Sequence, residues 1–335
     1  MACAMKLLVL TNNPDRASFR QRVEVYLDLL HRKGIDCEVA RFPGCLSVRC
    51  RLLKHSANFD AVLLHKKRLN FIEVPLLRHW SRKIIYDFDD AVMYRPRAPQ
   101  CYSFFDWMRF RLTVKSADLV IAGNPYLAER ARRFNANVEV LPTGLKTNDY
   151  KVPSEPRRDG KVRLVWIGSR STLGYLTEIK PALEEIGSRF DNVVLRVICD
   201  TFPDFESMPI ERRLWSEQTQ TGDLTTSDIG LAPLPDNRFT RGKCGFKILQ
   251  YASAGLPIIA SPVGVNCDYV HDNVTGFHAS NTQEWIDRMA RLVEDPVCRT
   301  EMGVNALKSV ESFDVSVVGQ QLAVMIHRCA GDTKS

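Results

Sequence analysis

Lysines and glycines open one segment of this chain in a way that suits binding of a diphosphate. Lys243 and Lys247 are four residues apart, and a short helix is predicted over residues 246–254, closed by Gly255. Backbone N–H groups at a helix start, the helix dipole and mobile ammonium groups all favour a bound anion. The residue types therefore predict a phosphate site, although two lysines on a solvated surface loop remain the alternative.

A second cationic loop follows a predicted strand at residues 162–167. Gly168 would let the backbone approach a phosphate, Ser169 offers a hydroxyl, and Arg170 could clamp a diphosphate by charge-assisted hydrogen bonds. An exposed arginine at a helix start is the alternative interpretation of Arg170.

Polar residues also end predicted strands in the first half of the chain. His65 ends one strand, and Asp89 and Asp90 follow another. We expect the two carboxylates to orient an acceptor or to act as a base, with helix capping or a divalent metal as alternatives. A cationic loop makes a metal unnecessary, so none is predicted. His65 is a weaker catalytic candidate, because a lone histidine at a strand end is more often structural.

The loop after the first predicted strand supplies three weaker candidates for the acceptor side, namely Asn12, Ser18 and Arg20. They are expected to face the same edge of the sheet as the strand-end residues.

Short apolar runs alternate with amphipathic stretches, which is typical of parallel sheets with helices on both faces. The first half predicts strands at 6–10, 37–41, 61–64, 84–87, 119–122 and 138–141, with helices at 18–32, 71–82, 102–117 and 125–134. The pattern restarts with strands at 162–167, 193–199, 228–232 and 256–260, and with helices at 172–189, 246–254, 283–294, 297–309 and 315–329. We therefore expect two Rossmann-like, doubly wound α/β domains that face each other across a cleft.

The predicted domain boundaries follow from where the pattern pauses. Residues 1–145 form an N-terminal Rossmann-like domain, 146–161 a polar linker, and 162–312 a C-terminal Rossmann-like domain. The helix at 313–330 is expected to pack back onto the first domain.

Charge is distributed unevenly along the 335 residues. Residues 1–144 hold 24 Lys and Arg against 14 Asp and Glu, a net charge of +10, so the remainder carries −3 of the total +7. Basic, partly apolar stretches at 49–54, 66–68 and 78–83 suit an anionic membrane surface, with ordinary solvated helix faces as the alternative. Without a recognisable nucleic-acid motif, no nucleic acid partner is predicted.

The opening residues resemble neither a secretory signal nor a membrane span, and the ten cysteines include no Cys-x-x-Cys pair. Mostly buried thiols in the reducing cytoplasm are therefore expected, with possible peripheral binding to the inner face of the membrane.

Several segments in order resemble group 1, or family 4, glycosyltransferases. Residues 247–261 read Lys-Ile-Leu-Gln-Tyr-Ala-Ser-Ala-Gly-Leu-Pro-Ile-Ile-Ala-Ser, similar to the family's Lys-x-x-Glu-Tyr-Met-Ala-x-Gly-x-Pro-Val-Ile-Ala-Ser. Residues 166–168 (Trp-Ile-Gly), 224–234, 263–277 and 140–144 resemble further family motifs. The resemblance extends over nearly the whole second half of the chain and parts of the first.

The resemblance implies a GT-B fold and a retaining, metal-independent transfer of a sugar from a nucleotide-sugar, with no cofactor. It assigns Lys247 to the diphosphate. It places Gln250 where the family has the glutamate that binds ribose, and Gly242 where another family glutamate is expected. The second domain, residues 162–312, would bind the nucleotide-sugar. The N-terminal domain, residues 1–145, would be the acceptor side and hold a glycan or a lipid-linked glycan. A non-catalytic relative and a nucleotide-sugar epimerase are the alternatives.

Overall fold

The computed structural model describes residues 4–96, 98–101, 103–153 and 159–331. The chain forms two compact units. The first unit contains Met1–Gly144, Asn237–Cys244 and Phe313–Ser335, and the second contains Leu145–Asp236 and Gly245–Ser312.

Each unit is built on a six-stranded parallel sheet. In the first, the strands are β1 (Met5–Thr11), β2 (Ile35–Arg41), β3 (Ala61–His65), β4 (Ile84–Phe88), β5 (Leu119–Ala122) and β6 (Val138–Val140), in the order β2-β1-β3-β4-β5-β6. In the second, they are β7 (Val162–Ile167), β8 (Val193–Cys199), β9 (Ile210–Leu214), β10 (Ile229–Ala232), β11 (Ile258–Ala260) and β12 (Gly276–His278), in the order β12-β11-β10-β7-β8-β9.

Helices connect the strands of both sheets. Those of the first unit are α1 (Ala17–Arg22), α2 (Leu27–Arg32), α3 (Leu46–His55), α4 (Glu73–Trp80), α5 (Phe104–Ser116), α6 (Pro125–Arg132) and, from the last segment, α14 (Val315–Gly331). Those of the second are α7 (Leu173–Thr177), α8 (Lys180–Arg189), α9 (Gln220–Thr225), α10 (Phe246–Ser253), α11 (Asn266–Tyr269), α12 (Thr282–Glu294) and α13 (Pro296–Ser309).

Alternation along β1 explains why the first sheet is covered on both faces. Leu8 and Leu10 belong to the core that includes residues of α3, α4, α5 and α6. Leu7 and Val9 belong to the opposite core, which includes residues of α1, α2 and α14. Successive side chains of a strand point to opposite faces, so a strand buried on both faces is apolar at every position.

Two predicted helices are each broken in the structure. The prediction at 18–32 is wrong at Val23, where φ is −131° and α1 ends before a short 3₁₀ turn leads into α2. The prediction at 172–189 resolves into α7 and α8, which begins with Pro181 in its first turn. Apolar periodicity continues through both breaks, so the pattern alone does not reveal them.

Other differences concern strands and boundaries. β9 and β12 were not predicted, because β9 reads Ile-Glu-Arg-Arg-Leu with little apolar pattern and β12 has only three residues. The predicted start of the helix at 102 lies outside the described residues, and so do 154–158 of the predicted linker. The described beginning of that linker belongs to the second unit, where Tyr150 is buried.

Residues 237–244 also depart from the predicted organisation, because they belong to the first unit although the flanking residues belong to the second. Lys243 therefore lies in the first unit and not with the predicted nucleotide-binding domain.

Cysteine burial differs from expectation as well. Of the nine cysteines in the described ranges, Cys199, Cys244 and Cys329 are buried, whereas Cys45, Cys50, Cys101 and Cys267 are exposed. Across those same ranges, no helix combines the length and hydrophobicity that crossing a bilayer requires.

Candidate functional sites

The first unit has a cavity of about 510 Å³ at the carboxyl ends of its strands. Its lining comes from the loops that follow β1, β3 and β4, with Arg109 of α5 and Phe239 from the inserted segment. After β1 the chain first adds β2 on one side and then β3 on the other, so strand order reverses between β1 and β3. Ligands of open parallel sheets bind at such a reversal, which makes this cavity a candidate substrate site.

The structure gathers four of the predicted first-unit residues in this cavity. Asn12, Ser18, His65 and Asp90 all line it. Arg20 does not line it, and donates instead from Nη1 to the backbone oxygen of Asp15 at 2.8 Å. Asp89 lies beside the cavity through its contact with Lys66.

Lys66 binds the two predicted carboxylates. Its ammonium lies 2.9 Å from Asp89 Oδ1 and also donates to Asp90 Oδ2. Lys243 donates to the other oxygen of Asp90 at 2.9 Å, so that carboxylate is held between two ammonium groups. Lys66 adopts φ of 54°, a left-handed conformation that is costly for a lysine.

The surroundings of Asp90 decide its ionisation. Burial opposes the charged form, but the ammonium groups of Lys243 and Lys66 outweigh it and lower the pKa of Asp90 to about 2. Efficient general bases have a pKa near the working pH. Asp90 is therefore suited to binding cations. Its low pKa makes it a poor general base, which was one of its predicted roles.

His65 is the other candidate in the cavity. It is buried, and its Nδ1 lies 3.2 Å from the hydroxyl of Thr11. Burial lowers the pKa of the imidazole, so the ring is neutral at pH 7. Its Nε2 has no hydrogen-bond partner among the described residues.

A buried ion pair fixes α1, the helix that carries Ser18 and follows the loop containing Asn12. Arg22, at the end of α1, donates from Nε and Nη2 to Asp87 of β4 at 3.0 and 2.8 Å. Its Nη1 donates to the carbonyl oxygens of Leu141 and Pro142 at 2.7 and 2.9 Å. Arg22 thus joins the end of α1 to β4 and to the residues that follow β6.

In the second unit, Lys247 lies in the first turn of α10, over the ring of Trp166. The ammonium is 4.0 Å from the ring centroid, a cation–π contact that orients it. A Cβ added to Gly168 would lie 2.8 Å from that ammonium and 2.3 Å from Trp166 Cη2, so only glycine fits here. The N-cap of α10 is Gly245, whose φ of 63° is accessible to glycine at low cost.

The loop after β7 holds the other predicted phosphate ligands. Ser169 and Arg170 are both exposed. The backbone N–H of Ser169 donates to the hydroxyl of Thr172 at 3.1 Å, and that of Arg170 donates to Asp200 Oδ1 at 2.8 Å. These bonds order the loop backbone and leave the guanidinium of Arg170 at the surface.

Gln250 is buried on α10, and its side-chain nitrogen donates to Gln220 Oε1 at 3.3 Å. The next residue, Tyr251, connects the helix to the sheet: its hydroxyl accepts from the N–H of Ile167 at 3.1 Å and donates to the carbonyl of Leu231 at 3.0 Å. Tyr251 therefore anchors α10 to the end of β7 and to β10.

A cavity of about 410 Å³ also lies in the second unit, at the carboxyl ends of β10 and β11. Pro233, Asp236, Ser261 and Trp285 are among its lining residues, and none of the predicted donor-binding residues is.

Sequence reasoning did not identify Lys66, Arg22, Arg16 or Arg109 as site residues. Lys66 directly follows the strand end at His65, which is a signal that could have found it. Arg109 lies in the middle of α5, where nothing in the local pattern marks it. No cluster of three or more His, Cys, Asp or Glu side chains suited to a metal occurs in the part of the chain that the structure describes.

The fold has known relatives among solved structures. The two doubly wound parallel units are the GT-B architecture. Among solved structures, HepE from Anabaena in complex with UDP-glucose aligns at 15% identity over 97% of this chain and 100% of that one, with a TM-score of 0.71. Sucrose-phosphate synthase from Thermosynechococcus elongatus aligns at 12% identity over 97% and 98%, with a TM-score of 0.72. WaaG, a glycosyltransferase involved in lipopolysaccharide biosynthesis, aligns at 13% identity over 96% and 99%, with a TM-score of 0.67.

A family model matches one segment of the sequence, most of which lies in the second unit. Residues 222–295 match the model of the family described as glycosyl transferases group 1. The predicted resemblance to group 1 glycosyltransferases is therefore confirmed, and the segment that carries it contains Lys247 and Gln250. Among curated proteins, none matches the chain in sequence.

Proposed function

We propose that this protein is a retaining, metal-independent glycosyltransferase that uses a UDP-sugar as donor and a glycan or a lipid-linked glycan as acceptor. The geometry around Lys247 carries the proposal. Its ammonium, the first turn of α10 and the close backbone at Gly168 are brought together at the end of β7. Such groups stabilise the negative charge that develops on the β-phosphate as the sugar leaves.

Solved structures of HepE support the choice of UDP as the nucleotide. Complexes of HepE hold UDP, UDP with glucose, and UDP-glucose. We infer that the second unit of this protein binds the diphosphate of a UDP-sugar through Gly168, Ser169, Arg170 and Lys247, and that Gln250 contacts the ribose. In this mechanism the departing phosphate itself accepts the acceptor proton, so the weak basicity of Asp90 is compatible with transfer.

The acceptor is assigned to the first unit. Its cavity combines the hydroxyl, amide and imidazole groups of Ser18, Asn12 and His65. Such groups hydrogen-bond to sugar hydroxyls, and the paired carboxylates at Asp89 and Asp90 fix the strand ends around them.

A membrane surface is the proposed location of the acceptor. Exposed apolar side chains lie at the starts of neighbouring helices of the first unit, with Leu46 at α3, Phe71 before α4, and Phe104 and Phe105 at α5. In a parallel sheet these helix starts follow the carboxyl ends of the strands, the edge that also bears the cavity. Aromatic side chains among basic residues favour binding to anionic lipid headgroups.

The central experiment uses the 335-residue chain and measures UDP binding by calorimetry and turnover of UDP-glucose. Lys247→Ala should weaken UDP binding about tenfold to a hundredfold, because hydrogen bonds to charged groups contribute about 1.5–3 kcal/mol. Lys308→Ala removes an exposed lysine of α13 in the same unit and should leave UDP affinity unchanged.

Three outcomes separate the proposal from its alternatives. Release of α-glucose from UDP-glucose in the presence of EDTA supports retaining, metal-independent transfer. Formation of the C2 epimer would indicate an epimerase, and binding without turnover would indicate a non-catalytic relative. Equal UDP affinity for Lys247→Ala and Lys308→Ala would remove Lys247 from the site.

A further inference from the structure

The cavity of the first unit is strongly cationic. Five basic side chains line it, against the single carboxylate of Asp90. They are Arg16, Lys66, Lys67, Arg68 and Arg109. Two of them form ion pairs with carboxylates. Lys66 binds Asp89 and Asp90, and Arg68 lies 2.9 Å from Asp106 Oδ1.

The other three have no ion-pair partner among the described residues. Arg16 and Arg109 are exposed, and the ammonium of Lys67 lies 4.0 Å from the ring centroid of Phe42. Three cations at one concave site repel each other, and a bound anion would relieve that repulsion.

His65 adds an independent observation. The residue is 3% exposed, it lines the same cavity, and its Nε2 has no partner among the described residues. A buried polar atom without a partner is unfavourable, so a ligand that supplies the missing hydrogen bond is favoured.

We propose that this cavity binds an anionic group of the acceptor, a phosphate or a carboxylate, through Arg16, Lys67 and Arg109. The inference rests on the proposed function only in naming the ligand as an acceptor. Guanidinium groups form paired hydrogen bonds with phosphate and with carboxylate alike, so the prediction covers both anions. A prenyl diphosphate and an acidic sugar are the two sources that the experiment must distinguish.

The test is a calorimetric titration of the full-length protein with inorganic pyrophosphate, with UDP present at saturation to occupy the donor site. We expect binding that Arg109→Gln weakens about tenfold to a hundredfold. Arg111→Gln is the matched control, because it removes the same charge from the same helix while Arg111 stacks on Trp107 and Phe134. Arg111→Gln should bind pyrophosphate like the unmodified chain.

Further titrations identify the source of the anion. Tighter binding of geranyl pyrophosphate than of inorganic pyrophosphate would assign the site to a lipid diphosphate. Binding of methyl glucuronide, lost in Arg109→Gln, would assign it to an acidic glycan. The proposal is overturned if Arg109→Gln and Arg111→Gln bind every anion equally, or if uncharged methyl glucoside binds as tightly as the anions.

Turnover of UDP-glucose, measured on the same preparation, keeps the two proposals separate. Turnover of UDP-glucose without binding of any anion would contradict the anion-binding cavity and leave the proposed function in place. Anion binding that depends on Arg109, in a protein that does not turn over any UDP-sugar, would leave the site in place and remove the proposed function.

Discussion

Replacing Arg22 with alanine would leave a buried carboxylate without its countercharge. The side chains of Arg22 and Asp87 are only 1% and 4% exposed, and two nitrogens of the guanidinium donate to the carboxylate. Breaking a buried pair by removing one partner costs about 3–5 kcal/mol, because the remaining charge stays desolvated. The change also leaves the carbonyls of Leu141 and Pro142 without these donors.

Thermal unfolding followed by circular dichroism measures this cost. For units of this size, each kcal/mol lowers Tm by about 2–4 °C, so we expect Arg22→Ala to unfold roughly 6–20 °C lower. Arg20→Ala is the matched control, because Arg20 lies on the same helix and is not buried. Its substitution should change stability by less than about 1 kcal/mol.

A double variant tests the reasoning itself. If the loss of stability arises from the unpaired buried charge, the double variant Arg22→Met and Asp87→Leu should be destabilised far less than the sum of the two single substitutions. A Tm for Arg22→Ala within 2 °C of that of Arg20→Ala would refute the view that this pair holds α1 in place.

Two further predictions concern the other candidate residues. Gly168→Ala should lower stability by about 1–3 kcal/mol and weaken UDP binding, because its Cβ would meet Trp166 and the ammonium of Lys247. Gly174→Ala is the control, because an added Cβ there has nothing within 4 Å, and it should change neither quantity. Thermal unfolding and UDP titrations measure both effects. Since the pKa of Asp90 is lowered to about 2, its ion pairs stabilise the fold above about pH 4, and that contribution is lost as the pH falls toward 2. Asp90→Asn should therefore flatten the loss of stability between about pH 4 and pH 2 in urea unfolding, and an unchanged slope would contradict the assignment.

Much of the fold is predictable from the sequence, because strands buried on both faces are apolar at every position. β3, β5, β7 and β8 are found within a residue of their predicted bounds. β9 is the opposite case, since its exposed arginines belong to an edge strand and give no apolar run. The break at Val23 also escapes prediction, because the apolar periodicity of residues 18–32 continues through it.

The candidate sites were predictable where side chains end strands. His65 and Asp90 share a cavity, as expected for strand ends at one edge of a sheet. Their partners were not predictable: Lys243 reaches Asp90 from 153 residues away, and nothing local indicates that residues 237–244 join the first unit. Such long-range ion pairs depend on how the chain is routed and leave no periodic signal.

The position of α14 has a consequence for how the polypeptide folds during synthesis. Its Gly319 packs so closely that an added Cβ would lie 2.9 Å from Leu29 of α2, and Val318, Leu322 and Ile326 complete one core of the first unit. These residues leave the ribosome after all of the second unit has been made, roughly 10–40 s later than Gly144 at ordinary elongation rates. The first unit to be translated is thus the last to be completed, and its apolar face is open to chaperones during that interval.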